Sequence, residues 1–225
     1  MHALKILMLT DRLGLGGAET HVAELCLGLR RMGVEVETLS QGGEIADALE
    51  RAGIVCHRLP LCTHDPIRLL VLRHRLKRLV RRGGYDVLHA HARIPAFLLR
   101  GLRREGIARV VTVHAHFADN RLLRRLSYWG ERTIAVSEDL RAYVCDRYGV
   151  SGEAVCVIPN GIDCARFSPP STREERGELR ILFASRLDHD CASGAVVQNK
   201  KEMRRLIEDA DAHLAKFKAE NEGWL

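Results

Sequence analysis

Seven short apolar runs punctuate the first 160 residues of this chain, at 4–10, 34–39, 54–59, 86–90, 109–114, 133–136 and 154–158. Between most of them lie stretches with apolar residues at helical spacing, at 18–32, 67–82, 94–104 and 138–148. Strands separated by helices cannot pair through tight hairpins. They pair in parallel, and each crossover helix then packs on a face of the sheet. The pattern predicts an α/β fold, a doubly wound parallel sheet covered on both sides. In such sheets ligands bind beyond the carboxyl ends of the strands, where strand order reverses. The residues just after each run therefore carry the functional information.

After the first run comes "TDRLGLGGAETHV", which sets Gly14, Gly16 and Gly17 at the entrance of a helix. Backbone N–H groups left open at a helix N-terminus, with the helix dipole behind them, favour an anion. A dinucleotide fingerprint would need a third glycine where Glu19 stands. It would also need an acidic residue at the tip of the second strand, "VEVETLS", which ends in Ser40. Both requirements fail, which argues against a nicotinamide-dependent oxidoreductase.

The fourth and fifth strand ends are rich in histidine. "DVLHAHARIPA" places His89 and His91 on one side of an extended strand end, and "VVTVHAHF" repeats the spacing with His114 and His116. Imidazoles so spaced can share a metal ion. The sequence shows no carboxylate or further histidine at an obvious ligand spacing, so no metal is expected. The expectation is instead a set of neutral histidines lining a polar crevice, able to bond hydroxyls and phosphates.

Charge is uneven along the chain. Residues 66–132 hold 16 Lys/Arg against 4 Asp/Glu, whereas the whole chain has a net charge of only +6. A basic middle suits an anionic partner or a solvated Arg-rich helix face. Within it, "PIRLLVLRHRLKRLVRR" has Leu69, Leu72, Leu76, Leu79 and Val80 on one helical face, with Arg and Lys around the rest. Seven scattered cysteines without a C-x-x-C pair suit reduced thiols in a cytosol. No run reaches the length of a membrane span, and "MHALKILMLTDR" reads as a first strand rather than a signal peptide.

Beyond residue 158 the character changes. Asn160-Gly161 is a turn signal and Pro169-Pro170 opens a polar linker, expected at 166–178. "LRILFAS" then begins a further α/β unit, but only 40 residues follow Ser185, too few for a second doubly wound domain. The expected organisation is a first domain at 1–165, a stub at 179–197 and an amphipathic helix at 198–225. Four of the six lysines fall in that last segment, which suggests a truncation or junction near residue 198.

"KILMLTDRLGLGGAETHVAEL", "DVLHAHARIPA", "VVTVHAHF", "TIAVSEDLRAYV", "VIPNGIDCARFSP" and "ILFASRLD" occur in the order seen in family-4 retaining glycosyltransferases of the GT-B fold. The resemblance covers about residues 3–195. It implies a Rossmann-like N-terminal, acceptor-side domain facing a donor-binding domain across the active-site cleft. Gly16 and Gly17 match the family's Gly-Gly loop, and His114 matches a histidine at the reaction centre, the expected catalytic residue. Ser137 and Glu138 match the "VSE" turn, Asn160 the "PNGID" turn, and Arg186 an arginine that clamps the diphosphate. His89 and His91 join these as expected substrate-binding residues. The family commonly needs no bound metal and no further cofactor.

The departures are as specific. The family's diphosphate-binding lysine is missing where Ala192 or Ser193 stands, and the two donor-site glutamates seven residues apart have no counterpart. The resemblance implies a sugar-nucleotide donor and a hydroxyl acceptor, lipid-linked or a cell-envelope glycan, and no nucleic acid. The scattered cysteines point to a cytoplasmic protein, and the basic rim of residues 66–82 raises the hypothesis of peripheral contact with the inner face of an anionic membrane, as some relatives of the family make. These 225 residues alone are expected to be inactive. The rival reading is a non-catalytic module for an anion or membrane surface.

Overall fold

The computed structural model describes residues 3–168, apart from 62, 64, 103–105, 118–120 and 165–166, with the backbone alone at 121–123. The chain divides into two units, Met1–Phe167 and Ser168–Leu225, and all the described residues except Ser168 belong to the first. Arg186, the stub at 179–197, the helix at 198–225 and all of the linker but Phe167 and Ser168 lie outside the described residues.

All seven expected strands form: β1 (Lys5–Leu9), β2 (Glu35–Ser40), β3 (Val55–Arg58), β4 (Val87–Ala90), β5 (Ala108–Val113), β6 (Arg132–Ala135) and β7 (Val155–Val157). They make one parallel sheet in the order β3-β2-β1-β4-β5-β6-β7. The chain winds outward from β1 to β3, crosses back to β4, and then winds outward the other way. The switch point lies between β1 and β4.

Six helices connect the strands: α1 (Gly17–Arg31), α2 (Glu44–Arg51), α3 (Pro66–Gly83), α4 (Arg93–Leu99), α5 (Arg121–Leu126) and α6 (Glu138–Tyr148). The short α2 and α5 were not among the expected helices, because eight and six residues carry too little periodicity to stand out. Helix α4 ends at Leu99 rather than 104, just before Gly101, a residue that weakens a helix interior.

Strand β1 divides the core by its pleat. Leu7 and Leu9 pack with Leu72, Leu76 and Val80 of α3 and with Leu98 and Leu99 of α4. Ile6 and Met8 pack on the other side with Val22 and Cys26 of α1 and with Ala46 and Leu49 of α2. Successive strand side chains point to opposite faces, so one apolar run seeds both layers. Helix α3 is fixed at both ends. The Asp65 carboxylate accepts from the N–H groups of Ile67 (2.8 Å) and Arg68 (3.3 Å), Pro66 opens the first turn, and Gly84 closes the helix at φ +64°.

The loop after β1 is held by the loop after β2. Thr10 N–H donates to Leu39 O (3.1 Å), Leu13 N–H to Gly42 O (3.0 Å), and Ile45 N–H to Leu13 O (3.0 Å). This close approach requires Gly43. Its φ is +135°, and a Cβ there would lie 2.4 Å from the Leu13 carbonyl oxygen. At Gly17, by contrast, an added Cβ meets nothing within 4 Å. Gly43→Ala should therefore cost about 1–3 kcal/mol, a fall in Tm of roughly 3–10 °C. Gly17→Ala should leave Tm within about 2 °C of wild type. Thermal unfolding followed by circular dichroism checks both, and an unchanged Tm in Gly43→Ala would contradict the bracing role.

Candidate functional site

The site lies along the carboxyl ends of β1, β4 and β5. Gly16 precedes α1 in extended backbone, and no side chain caps the helix. Gly16 itself offers the first-turn N–H groups no side-chain acceptor, and the space over Gly17 is open. The Glu19 carboxylate folds back toward Gly16, where a Cβ would meet its Oε2 at 2.2 Å. This carboxylate suits the helix dipole, and an incoming phosphate would have to displace it.

Beside that helix end, the two H-x-H segments contribute unequally. His91 leaves the end of β4, its N–H bound to Leu9 O at 2.8 Å, and His114 leaves the end of β5. Their rings meet, with His91 Nδ1 3.1 Å from His114 Nε2. His89 lies behind them, buried, its ring centroid 4.1 Å from that of His91 and its Nε2 2.7 Å from Thr112 Oγ1. His116 takes no part. It is exposed, 3.2 Å from the Asp139 carboxylate and edge-on to Tyr143.

The fold adds a histidine that the sequence reading did not place. His21, in the second turn of α1, brings its ring centroid to 5.1 Å from His114 and 6.0 Å from His91. Ligand nitrogens of His21, His91 and His114 all lie within 4.8 Å of one another. No ligand spacing in the sequence marks His21, which the fold brings to the H-x-H pairs. His21 belongs to the same quoted loop-helix segment, four residues after Gly17 on the same helical face. The signal was present, but the rotation of α1 toward the sheet edge was not.

The remaining expected residues sit further along the same edge. Ser137 caps α6, its hydroxyl accepting from Leu140 N–H at 3.2 Å. The turn starts next to β5, because Val136 N–H donates to Val113 O at 3.4 Å. Glu138 points to solvent and pairs with Arg141 at 3.7 Å. Asn160 is exposed beyond β7.

Burial keeps the histidines neutral. It pushes His89 down to about 3 and His114 down to about 4, with nearby imidazoles adding to the effect. His91 is held well below the ordinary histidine value by burial and then by His89, His114 and His21. His21 is lowered by burial alone. Each neutral ring keeps one N–H and one lone pair, so the group can both donate to and accept from a polyol.

Residues 15–166 match the Glycosyltransferase Family 4 model. The chain belongs to that family. It is 23% identical to a D-inositol 3-phosphate glycosyltransferase of Pseudarthrobacter chlorophenolicus, over 88% of this chain and 56% of the relative. It is 27% identical to a phosphatidylinositol N-acetylglucosaminyltransferase subunit of Arabidopsis thaliana, over 90% of this chain and 50% of the relative. The chain thus spans about half the length of these curated relatives. Among solved structures, a glycosyltransferase from Rickettsia africae shares the fold with a TM-score of 0.65 and 17% identity, over 78% of this chain and 48% of that one. The Rossmann-like sheet of a GT-B glycosyltransferase is therefore the fold of this family member.

The depressed histidines make stability depend on pH in a defined direction. An unfolded chain takes up protons below about pH 6.5, while native His89, with a pKa of about 3, stays neutral. Stability is full above pH 6.5 and falls as pH drops toward 3. Between pH 7.5 and pH 5, His89 alone should remove about 2 kcal/mol. Denaturant unfolding across that range should show a shallower fall for His89→Gln than for wild type, and equal slopes would contradict the neutral-histidine assignment.

Proposed function

We propose that this chain is the acceptor-side half of a retaining glycosyltransferase that moves a sugar from a nucleotide donor to a hydroxyl. The observation that carries the reading is the meeting of His91 and His114 beside the uncapped N-terminus of α1, at the switch point of the sheet. In this reading His114 bonds the reacting hydroxyl, while His91 and His89 hold its surroundings. The N–H groups at Gly16 and Gly17 receive a phosphate, Ser137, Glu138 and Asn160 bind substrate, and Arg186, outside the described residues, keeps the diphosphate-clamping role that the resemblance implies. Rate would come from aligning the acceptor and stabilising the leaving diphosphate.

The name of one curated relative carries D-inositol 3-phosphate and that of the other phosphatidylinositol, both an inositol esterified to phosphate. An inositol phosphate also matches the chemistry at hand, a ring of hydroxyls for neutral imidazoles and a phosphate for a helix end. We take that class as the acceptor. Residues 1–225 contain no counterpart of the donor-site lysine or paired glutamates, so donor activation is missing from them. Loss of even one preorganised charge-stabilising group costs about 10²–10³ in rate. Calorimetric titration of the purified 225-residue chain should show saturable binding of inositol 3-phosphate, weakened at least about 5-fold by His114→Ala. Incubation with labelled sugar nucleotides should give no turnover. Steady product formation would contradict the missing-donor part. Binding of NAD with no binding of inositol phosphate or sugar nucleotide would contradict the whole reading.

A specific observation also favours contact with an anionic membrane. Ile67, Leu70 and Val71 of α3 are exposed, at 74%, 67% and 48%. At 100° per residue they share the outward face with His74, Lys77, Arg78, Arg81 and Arg82. Apolar residues followed by cations on one helical face suit a headgroup boundary. Among the described residues no helix is long and apolar enough to cross a membrane. Each engaged Lys or Arg contributes about 1 kcal/mol, screened by salt over about 10 Å at 0.1 M. Co-sedimentation with phosphatidylserine vesicles at low salt should exceed that with neutral vesicles, and an Arg78→Glu, Arg81→Glu, Arg82→Glu variant should lose it. Equal, negligible pelleting with both would reduce the face to a solvated one.

A further inference from the structure

The histidine cluster has a chemistry that sugar transfer does not require. His21, His91 and His114 come from three different elements, and their ligand nitrogens converge within 4.8 Å. A tetrahedral zinc ion with bonds of about 2.0–2.1 Å holds its ligating nitrogens about 3.3 Å apart. His91 Nδ1 and His114 Nε2 already stand at 3.1 Å. Both rings hang from adjacent parallel strands, so their spacing is set by the sheet. His21 is half-buried on a helix and can close the remaining gap by a small side-chain rotation.

His91 Nε2 and His114 Nδ1 are buried, and no hydrogen-bond partner reaches either of them. These are the nitrogens turned away from the His91–His114 contact, so they take no part in ligation; the ion would be held by the two nitrogens that face each other. His89 backs the cluster, stacked on His91 and anchored to Thr112, as a support that fixes ring orientation.

We propose that His21, His91 and His114 form a binding site for a divalent transition ion, zinc first among them. Three imidazoles and no carboxylate select zinc, copper, nickel or cobalt over magnesium and manganese. They also leave the ion's double charge uncompensated. A fourth position then remains for water or for an oxygen of a phosphate, near the N-terminus of α1, where the Glu19 carboxylate lies at rest. With the ion bound, its open position would take the ligand oxygen that His114 bonds directly in the metal-free chain, beside the phosphate at the helix end. Metal binding is measured without nucleotide or acceptor, so its failure leaves the glycosyl-transfer reading standing.

The test uses the purified 225-residue chain, stripped with chelator and titrated with cobalt(II) and then zinc(II). One equivalent of cobalt should give the intense visible bands of a tetrahedral ion without the near-ultraviolet thiolate band that cysteine ligation produces. The described free cysteines make that control necessary. Zinc should displace the colour and raise Tm. His21→Ala and His114→Ala should each weaken zinc at least about 10-fold in chelator competition, while His116→Ala and His74→Ala match wild type. Circular dichroism confirms that His21→Ala, a half-buried position, remains folded. A wild-type affinity no tighter than that of folded His21→Ala, or a thiolate band in place of the imidazole spectrum, would overturn the proposal.

Discussion

The pairing of β1 with β4 is the contact on which the rest depends. These strands are far apart in sequence and lie side by side in parallel, with Leu7 opposite Leu88 and Leu9 opposite Ala90. Because β1 also pairs with β2, the chain must wind away from it in both directions. The loop after β1 and the residue after β4 therefore leave the same edge together. The bond from His91 N–H to Leu9 O extends the ladder by one step and delivers His91 beside the glycine loop. Were β1 and β4 not neighbours, neither the crevice nor the histidine cluster would exist.

Desolvation governs what those histidines can do. Taking an imidazolium out of water is costly, so burial holds His89, His91 and His114 neutral well below physiological pH. A neutral cluster offers lone pairs and N–H groups without adding charge, whereas four imidazolium rings this close would repel one another. The fixed positive field beside the cluster then comes from the amide ends of α1, opposed at rest by the Glu19 carboxylate. Sugar hydroxyls, a phosphate and a borderline metal ion are all compatible with this electrostatics; a carboxylate-bearing ligand set, as magnesium prefers, is not present in the cluster.

Much of this was legible in the sequence because β1, β4 and β5 are short, apolar and followed at once by polar residues. Each apolar run forms a strand, and Leu72, Leu76 and Val80 face the core as their spacing predicts. Three things were not legible. The short α2 and α5 carry less than three turns each, and tertiary packing rather than periodicity defines them. The rotation of α1 is set by Val22 and Cys26 packing under β1, and that rotation alone brings His21 to the two strand-end histidines. The exposed Ile67, Leu70 and Val71 were hidden for a similar reason, since a leucine-rich helix shows its inner stripe more readily than apolar residues on its outer face.

The central claim is that the glycine loop and the strand-end histidines act as one site. Nitrogen-15 NMR of the chain during titration with inositol 3-phosphate tests it most directly, because backbone amides and imidazole nitrogens report together. The predicted result is a common saturation curve for the Gly16 and Gly17 amides and for the rings of His91 and His114, with His74 on the outer face of α3 unmoved. Shifts confined to the basic face of α3, or histidine rings that stay fixed while the loop saturates, would contradict it.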